Sequence, residues 1–449
     1  MSGWPELRES RIVQAGHSPG TVIRCGLTDT MLADLPVSVV FLYRQAPDFD
    51  RLAAGLARAL QLLPVFAGRL RTIDGDLQLV CDDAGVPLTS YTVDETLSEA
   101  IGRVTLPGSG YVDHVDAPKA RLGGLPLFSA RVSWLSDGGM VLGCSWHHAV
   151  GDVQTFMLLM HAWSAAVEGR PLPPVVIPED PDAYLDRVLP PQDSGRPGFR
   201  LLDTDEAALV RREIERAMRT NRTVQVYFGD AELARLRESY IATAGRRLST
   251  NDVVCAHVVS TIRQLDEDDQ ARDLAMPVNI RRLLELPAGA VGNLVNEVFL
   301  TCPPRSSGEE FAVQLRQAVE DFARSHLNLR ANHAFLAEIG PDRFGDCVPI
   351  GFDPSRRTVT ITNWSRFGMY EVAFDGFRPA FFSSAANLQL PWIAWIVEGF
   401  DNTGLLLTAT VPGTLAARLR SSDGRAALHR FREPADELPE LAGTVRKLI

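Results

Sequence analysis

The sequence predicts an α+β protein, with two mixed strand-and-helix halves joined by a long crossover. Three observations carry this. Strand-like apolar runs alternate with segments of helical periodicity in both halves. Residues 170–200 carry Pro171, Pro173, Pro174, Pro178, Pro181, Pro190, Pro191 and Pro197. Proline fixes φ and lacks an amide hydrogen, so this stretch is neither helix interior nor central strand. The chain has 449 residues, enough for two domains. The expected division is an N-terminal domain over 1–170, a linker over 171–203 and a C-terminal domain over 204–449.

The elements follow in order. Thr21 to Cys25 is strand-like, and Leu27-Thr28-Asp29 reads as a turn. Val37 to Tyr43 is rich in β-branched and aromatic residues, hence a strand. Asp48 can cap a helix with Leu52, Leu56, Ala59, Leu60 and Leu63 on one face, ended by Pro64. Phe66 to Leu70 and Leu77 to Val80 flank Asp74-Gly75-Asp76 as a hairpin. Val93 to Val104 is a helix candidate. Pro126 to Leu135 and Met140 to Trp146 form a second hairpin around Asp137-Gly138-Gly139. In the second half, Thr204 to Arg219, Asp230 to Ala244, Ser249 to Ile262 and Gly308 to Leu327 read as helices. Strands are expected at Thr223 to Phe228, Leu274 to Ile280, Val295 to Cys302, Thr358 to Thr362, Glu371 to Phe374, Trp392 to Glu398 and Gly404 to Ala409. A last helix starts near Pro412.

One stretch carries chemistry: Ser145-Trp146-His147-His148-Ala149-Val150-Gly151-Asp152. It leaves a buried strand and enters a helix lined by Phe156, Met160 and Trp163. Rigid elements on both sides of a short turn can hold a catalytic group still. Imidazole titrates close to neutrality, so it can take and return a proton. Two readings of the octet stand here: a catalytic histidine with an orienting aspartate, or a chance histidine pair beside a helix cap.

Bulk properties narrow the field. Hydrophobic residues make up 45% and charged residues 22%, an ordinary globular composition. The net charge of −11 argues against a nucleic-acid partner. Six scattered cysteines, with no CxxC pair, suggest neither a zinc site nor a disulfide framework. Met1 to Pro19 lacks a signal-peptide core, and no apolar run reaches membrane-spanning length. The expectation is a cytoplasmic protein with reduced thiols, no membrane partner and no metal. His147 and His148 have no third ligand at recognisable spacing.

Several ordered stretches resemble the BAHD family of acyl-CoA-dependent acyltransferases. His148-Ala149-Val150-Gly151-Asp152 matches the HxxxD motif. Leu60 to Leu70, with Ala67-Gly68-Arg69-Leu70, resembles the family's LAGRL segment. Ser249-Thr250-Asn251-Asp252, Asn279-Ile280-Arg281, Gly292-Asn293 and Thr362-Asn363-Trp364 resemble further family landmarks in the family's order. The DFGWG signature is degenerate: its segment here is Ala373-Phe374-Asp375-Gly376-Phe377-Arg378-Pro379. In the family its aspartate pairs with the arginine of the NxR landmark. On an extended strand Asp375 would share a face with position 373, so Asp375 is expected to replace that partner for Arg281.

The resemblance implies two chloramphenicol-acetyltransferase-like mixed-sheet domains with an active-site channel between them. It implies that His148 deprotonates a hydroxyl or amine acceptor, which attacks an acyl-CoA thioester without a covalent acyl-enzyme. Asp152 would orient the loop. Trp364 and Thr362 become candidates for binding the acceptor or the oxyanion, with a plain core role for Trp364 equally open. Arg246, Arg247 and Ser249 precede a helix N-terminus, which suits the phosphates of coenzyme A, although a solvated basic turn reads as well. Acyl-CoA is then a co-substrate, with no cofactor held permanently, and the crossover makes a monomer the expectation. An Ala-, Arg-, Leu- and Gly-rich chain suggests a GC-rich genome and a natural-product pathway. Two rivals remain: a condensation-type domain using carrier-protein thioesters, and a catalytically silent binding protein of the same fold.

Overall fold

A computed structural model describes residues 5–449 except 105, 107, 190–195, 267–269, 326–327, 386–391 and 446–447. Pro190 and Pro191 of the crossover, and the expected last residue of the Gly308 helix, Leu327, lie outside the described residues.

Two six-stranded mixed sheets dominate. The first runs, edge to edge, Glu6–Val13, Val86–Val93, Phe128–Leu135, Met140–His147, Pro36–Tyr43 and Pro379–Ser384. The second runs Asn221–Phe228, Leu405–Pro412, Ile393–Glu398, Val359–Asn363, Arg272–Asn279 and Val295–Cys302. Each mixes parallel and antiparallel neighbours. Every residue of the Met140–His147 strand is buried, so its near-continuous apolar run is the signature of a central strand.

The division at residue 204 is corrected by the first sheet. Pro379–Ser384, from the C-terminal half, adds antiparallel to Pro36–Tyr43, with Phe382 opposite Phe41. Phe41 and Phe382 pack at 4.8 Å between ring centroids. The chain therefore returns from the second half to finish the first sheet. The residues 371–374 do not form a strand. Met369–Glu371 is a short 3₁₀ turn, and Phe374 and Phe377 exchange two backbone hydrogen bonds of 3.0 Å across Asp375-Gly376. Those two residues have φ of 54° and 81°, the positive pair that a tight hairpin turn needs and that Asp-Gly supplies. Leu27-Thr28-Asp29 is not a free turn either, since Leu27–Met31 is a short helix whose Gly26 amide donates to Asp29.

Among its described residues the crossover has little regular structure. It contains a short helix, Pro181–Asp186, capped by Asp180, and a strand, Phe199–Leu201. Val176 bridges to Ala290, which ties the linker to the loop that leads into Val295–Cys302.

Candidate active site

The octet folds as the alternation of its residues dictates. Met140–His147 ends the strand, His148–Val150 makes one 3₁₀ turn, and Val153–Val167 is the following helix. Asp152 is the N-cap, accepting from the Thr155 amide at 3.0 Å. Gly151 has φ of 151°, and a Cβ there would lie 2.6 Å from the Thr155 side chain, so only glycine fits. The Trp146 ring stacks on Phe156 at 4.2 Å, and its indole donates to the Gly151 carbonyl. The turn is thus clamped from both sides.

The two histidines separate cleanly. His147 is fully buried, and its Nδ1 accepts from the Ala149 amide while Nε2 lies 3.3 Å from the Ala117 carbonyl. Burial lowers its pKa to about 4, so it is a neutral structural group. His148 instead lines a cavity of about 210 Å³ where the two halves meet. Its amide donates to Leu35 and its carbonyl accepts from Asn293 at 2.9 Å. Burial pushes its pKa below the ordinary imidazole value, while its own carbonyl, Asp152 and Asn293 pull the other way. The net result is an imidazole that is neutral at physiological pH and so able to accept a proton.

Asp152 does not face outward for catalysis. Its carboxylate takes a bidentate pair from Arg281, at 2.7 and 3.0 Å, with both side chains almost fully buried. The Leu294 amide donates to it as well. Arg281 further donates to the carbonyls of Ala290 and Gly292. This cluster joins the turn in the first half to the loop 279–294 in the second.

The expected Arg281–Asp375 pair is therefore corrected: Arg281 holds Asp152, and Asp375 forms its ion pair with Arg51. The physical reason is distance. Arg281 sits at the N-terminus of Val153–Val167, whereas the Asp375 turn docks near its other end, where Glu168 accepts from the Gly376 amide. A helix of that length spans roughly 22 Å. At position 373 the main chain makes the attachment instead, its amide and carbonyl both bonded to the Ser164 hydroxyl.

Thr362 and Trp364 line the same cavity as His148. Trp364 packs edge-on against Trp395, which also lines it. Ser249 is the N-cap of Thr250–Leu265 in a reciprocal arrangement with Asp252. Arg246 is drawn away to both oxygens of Glu320, at 3.1 Å, while Arg247 is exposed. The helix start beside them abuts the cavity wall, since Asn363 donates to Asn251 at 2.6 Å. Sequence reasoning missed Asn293 as a cross-link and Glu297 as a cavity residue. Gly292-Asn293 was visible as a landmark, but nothing in it pointed to the contacts of Asn293 with both the His148 carbonyl and Asp29.

The chain is similar to known proteins along most of its length. Residues 7–405 match the family described as Transferase family. Pelargonidin 3-O-(6-caffeoylglucoside) 5-O-(6-O-malonylglucoside) 4'''-malonyltransferase of Salvia splendens is 28% identical over 76% of this chain and 79% of its own. Agmatine hydroxycinnamoyltransferase 1 of Oryza sativa subsp. japonica is 24% identical over 87% of this chain and 90% of its own. Among solved structures, TRI101 of F. graminearum, complexed with coenzyme A and deoxynivalenol, superposes with a TM-score of 0.73 at 13% identity, covering 90% of this chain and 98% of that one. That likeness bears out the chloramphenicol-acetyltransferase-like fold. The chain belongs to this Transferase family, the BAHD acyl-CoA-dependent acyltransferases that act on small specialised metabolites.

Proposed function

We propose that the protein transfers an acyl group from a coenzyme A thioester to a hydroxyl or amine of a small specialised metabolite, with His148 as general base. The observation that carries this is the pairing of a neutral imidazole at the wall of a cavity between the halves with an aspartate already committed to Arg281. The acceptor gives its proton to His148 as its oxygen or nitrogen attacks the thioester carbon. The tetrahedral oxyanion then needs donors. The Thr362 hydroxyl and the Trp364 indole, on the same cavity wall, are the candidates. Collapse of the intermediate expels the thiolate of coenzyme A, and His148 returns the proton to it. Asp152 positions the turn and relays no charge. Arg247, exposed beside a helix N-terminus, is the side chain of that loop left open to a phosphate of coenzyme A.

The relatives' names span malonyl and hydroxycinnamoyl transfer, to a glycoside and to an amine, so both acyl group and acceptor are left to experiment. Thiol release from free acetyl-CoA and longer acyl-CoAs, against a panel of hydroxyl and amine acceptors, tests the reading. Acceptor-dependent release is expected. Turnover only with a carrier-protein thioester would overturn it in favour of a condensation-type activity.

A further inference from the structure

The cavity that holds His148 also contains a carboxylate that neither the fold nor the proposed mechanism uses. Glu297 lies in the edge strand Val295–Cys302, opposite Pro277, and its side chain lines that cavity. Its two oxygens face the main chain at Gly198 and Gly351, where an added Cβ would come within 3.4 and 3.9 Å of them. The polar groups around it are engaged elsewhere. The Gly198 amide donates to Asn332, and the Thr360 hydroxyl donates to the Gly351 carbonyl, each at 2.7 Å. Glu297 also borders a second groove with Arg196 and Arg246, but Arg246 is held by Glu320, and Arg196 makes no ion pair with Glu297 and does not offset its burial. Among the described residues no cation and no hydrogen-bond donor balances Glu297, and burial alone raises its pKa to about 7. Glu297 is half-buried at the cavity wall, so its carboxylate keeps only part of its hydration, and a cationic group in the cavity would pair with it in a site largely shielded from bulk water.

We infer that Glu297 anchors a cationic group of the acceptor, so that the preferred acceptors carry an ammonium or guanidinium at the end remote from the hydroxyl or amine that is acylated. The inference rests on the acyl-transfer reading above. The spacing bounds the acceptor's length. Glu297 and His148 line the same cavity, and Asn293, which holds the His148 carbonyl, precedes Glu297 by four residues, so the carboxylate lies within about 13 Å of that carbonyl's partner. A chain of about five carbons ending in an ammonium spans a gap within that bound with one charge-assisted contact.

The test compares 5-(dimethylamino)pentan-1-ol, whose tertiary amine is cationic but forms no stable amide, with pentane-1,5-diol, so that both offer a hydroxyl at the same reach and differ in the cationic end. With a fixed acyl-CoA, the wild type is expected to favour the amino alcohol in kcat/KM by about tenfold or more, the worth of one hydrogen bond to a charged group. Glu297→Gln should erase most of that ratio through a raised KM for the amino alcohol. Calorimetry on the catalytically silent His148→Ala protein reads the same contact without turnover: the amino alcohol binds more tightly than the diol, and adding Glu297→Gln removes the difference. Equal use of both acceptors by the wild type, or a preference that survives Glu297→Gln, would overturn the inference. Failure of the acyl-transfer reading looks different, as charge-selective binding with no thiol release from any pair.

Discussion

Two arginine–carboxylate pairs sit at opposite ends of the helix Val153–Val167. At its N-terminus, Asp152 and Arg281 have side chains 4% and 3% exposed, joined by two hydrogen bonds and surrounded by further acceptors and donors. Near its C-terminus, Asp375 is 18% exposed and Arg51 is 55% exposed. The same chemistry does different work in the two places. A buried pair that loses one member leaves an uncompensated charge, whereas a wet pair exchanges its partner for water. The first pair fixes the turn that carries His148 and links the two halves. The second closes a hairpin turn far from the cavity.

That contrast can be broken by substitution. Arg281→Leu strands the Asp152 carboxylate and should cost about 3–5 kcal/mol in denaturant unfolding. A cost below one kcal/mol would place the pair in the same class as Arg51–Asp375. Gly151→Ala forces a Cβ against Thr155 at a positive φ, and should lower stability by about 1–3 kcal/mol, with acyl transfer falling because the His148 turn shifts. A fully active, fully stable Gly151→Ala protein would show that the turn is not clamped.

The next effect is on pH. His148 must be neutral to accept a proton, and burial lowers its pKa below 6.5. With a neutral acceptor, kcat/KM should therefore be flat through pH 7 and fall by up to about tenfold per unit only below 6.5. Asp375→Ala should leave that limb where it is. A midpoint above 6.5 would contradict the buried, neutral base. Asp375→Ala should itself cost about 1 kcal/mol, because alanine takes the left-handed conformation reluctantly, and Asp375→Gly should recover it. Smallest of all, Arg51→Ala should cost a few tenths of a kcal/mol and lose that effect in high salt.

The sequence was informative where local rules decide. The strand–turn–helix around His148, the Ser249 cap and the Asp-Gly and Gly-Gly turns follow from residue types a few positions apart. The misreadings have long-range causes. Pro379–Ser384 joins a strand more than 330 residues away, and nothing in its own composition names that partner. Asp375 shared the alternation of a strand, yet the Asp-Gly pair that it heads is a turn, and the turn chemistry won. Arg281 was expected to find a carboxylate, and it did, but in the octet rather than in the degenerate motif. Glu297 reads in sequence as a routine charge on an edge strand, where charges commonly guard against association. Only the cavity shows that it faces inward.

The most direct test of the account is acceptor-dependent thiol release by His148→Ala, measured beside calorimetric binding of acyl-CoA to the same protein. The account predicts that release falls to the uncatalysed background while acyl-CoA binds as it does to the wild type. Release that persists in a folded His148→Ala protein would contradict the assignment of the base.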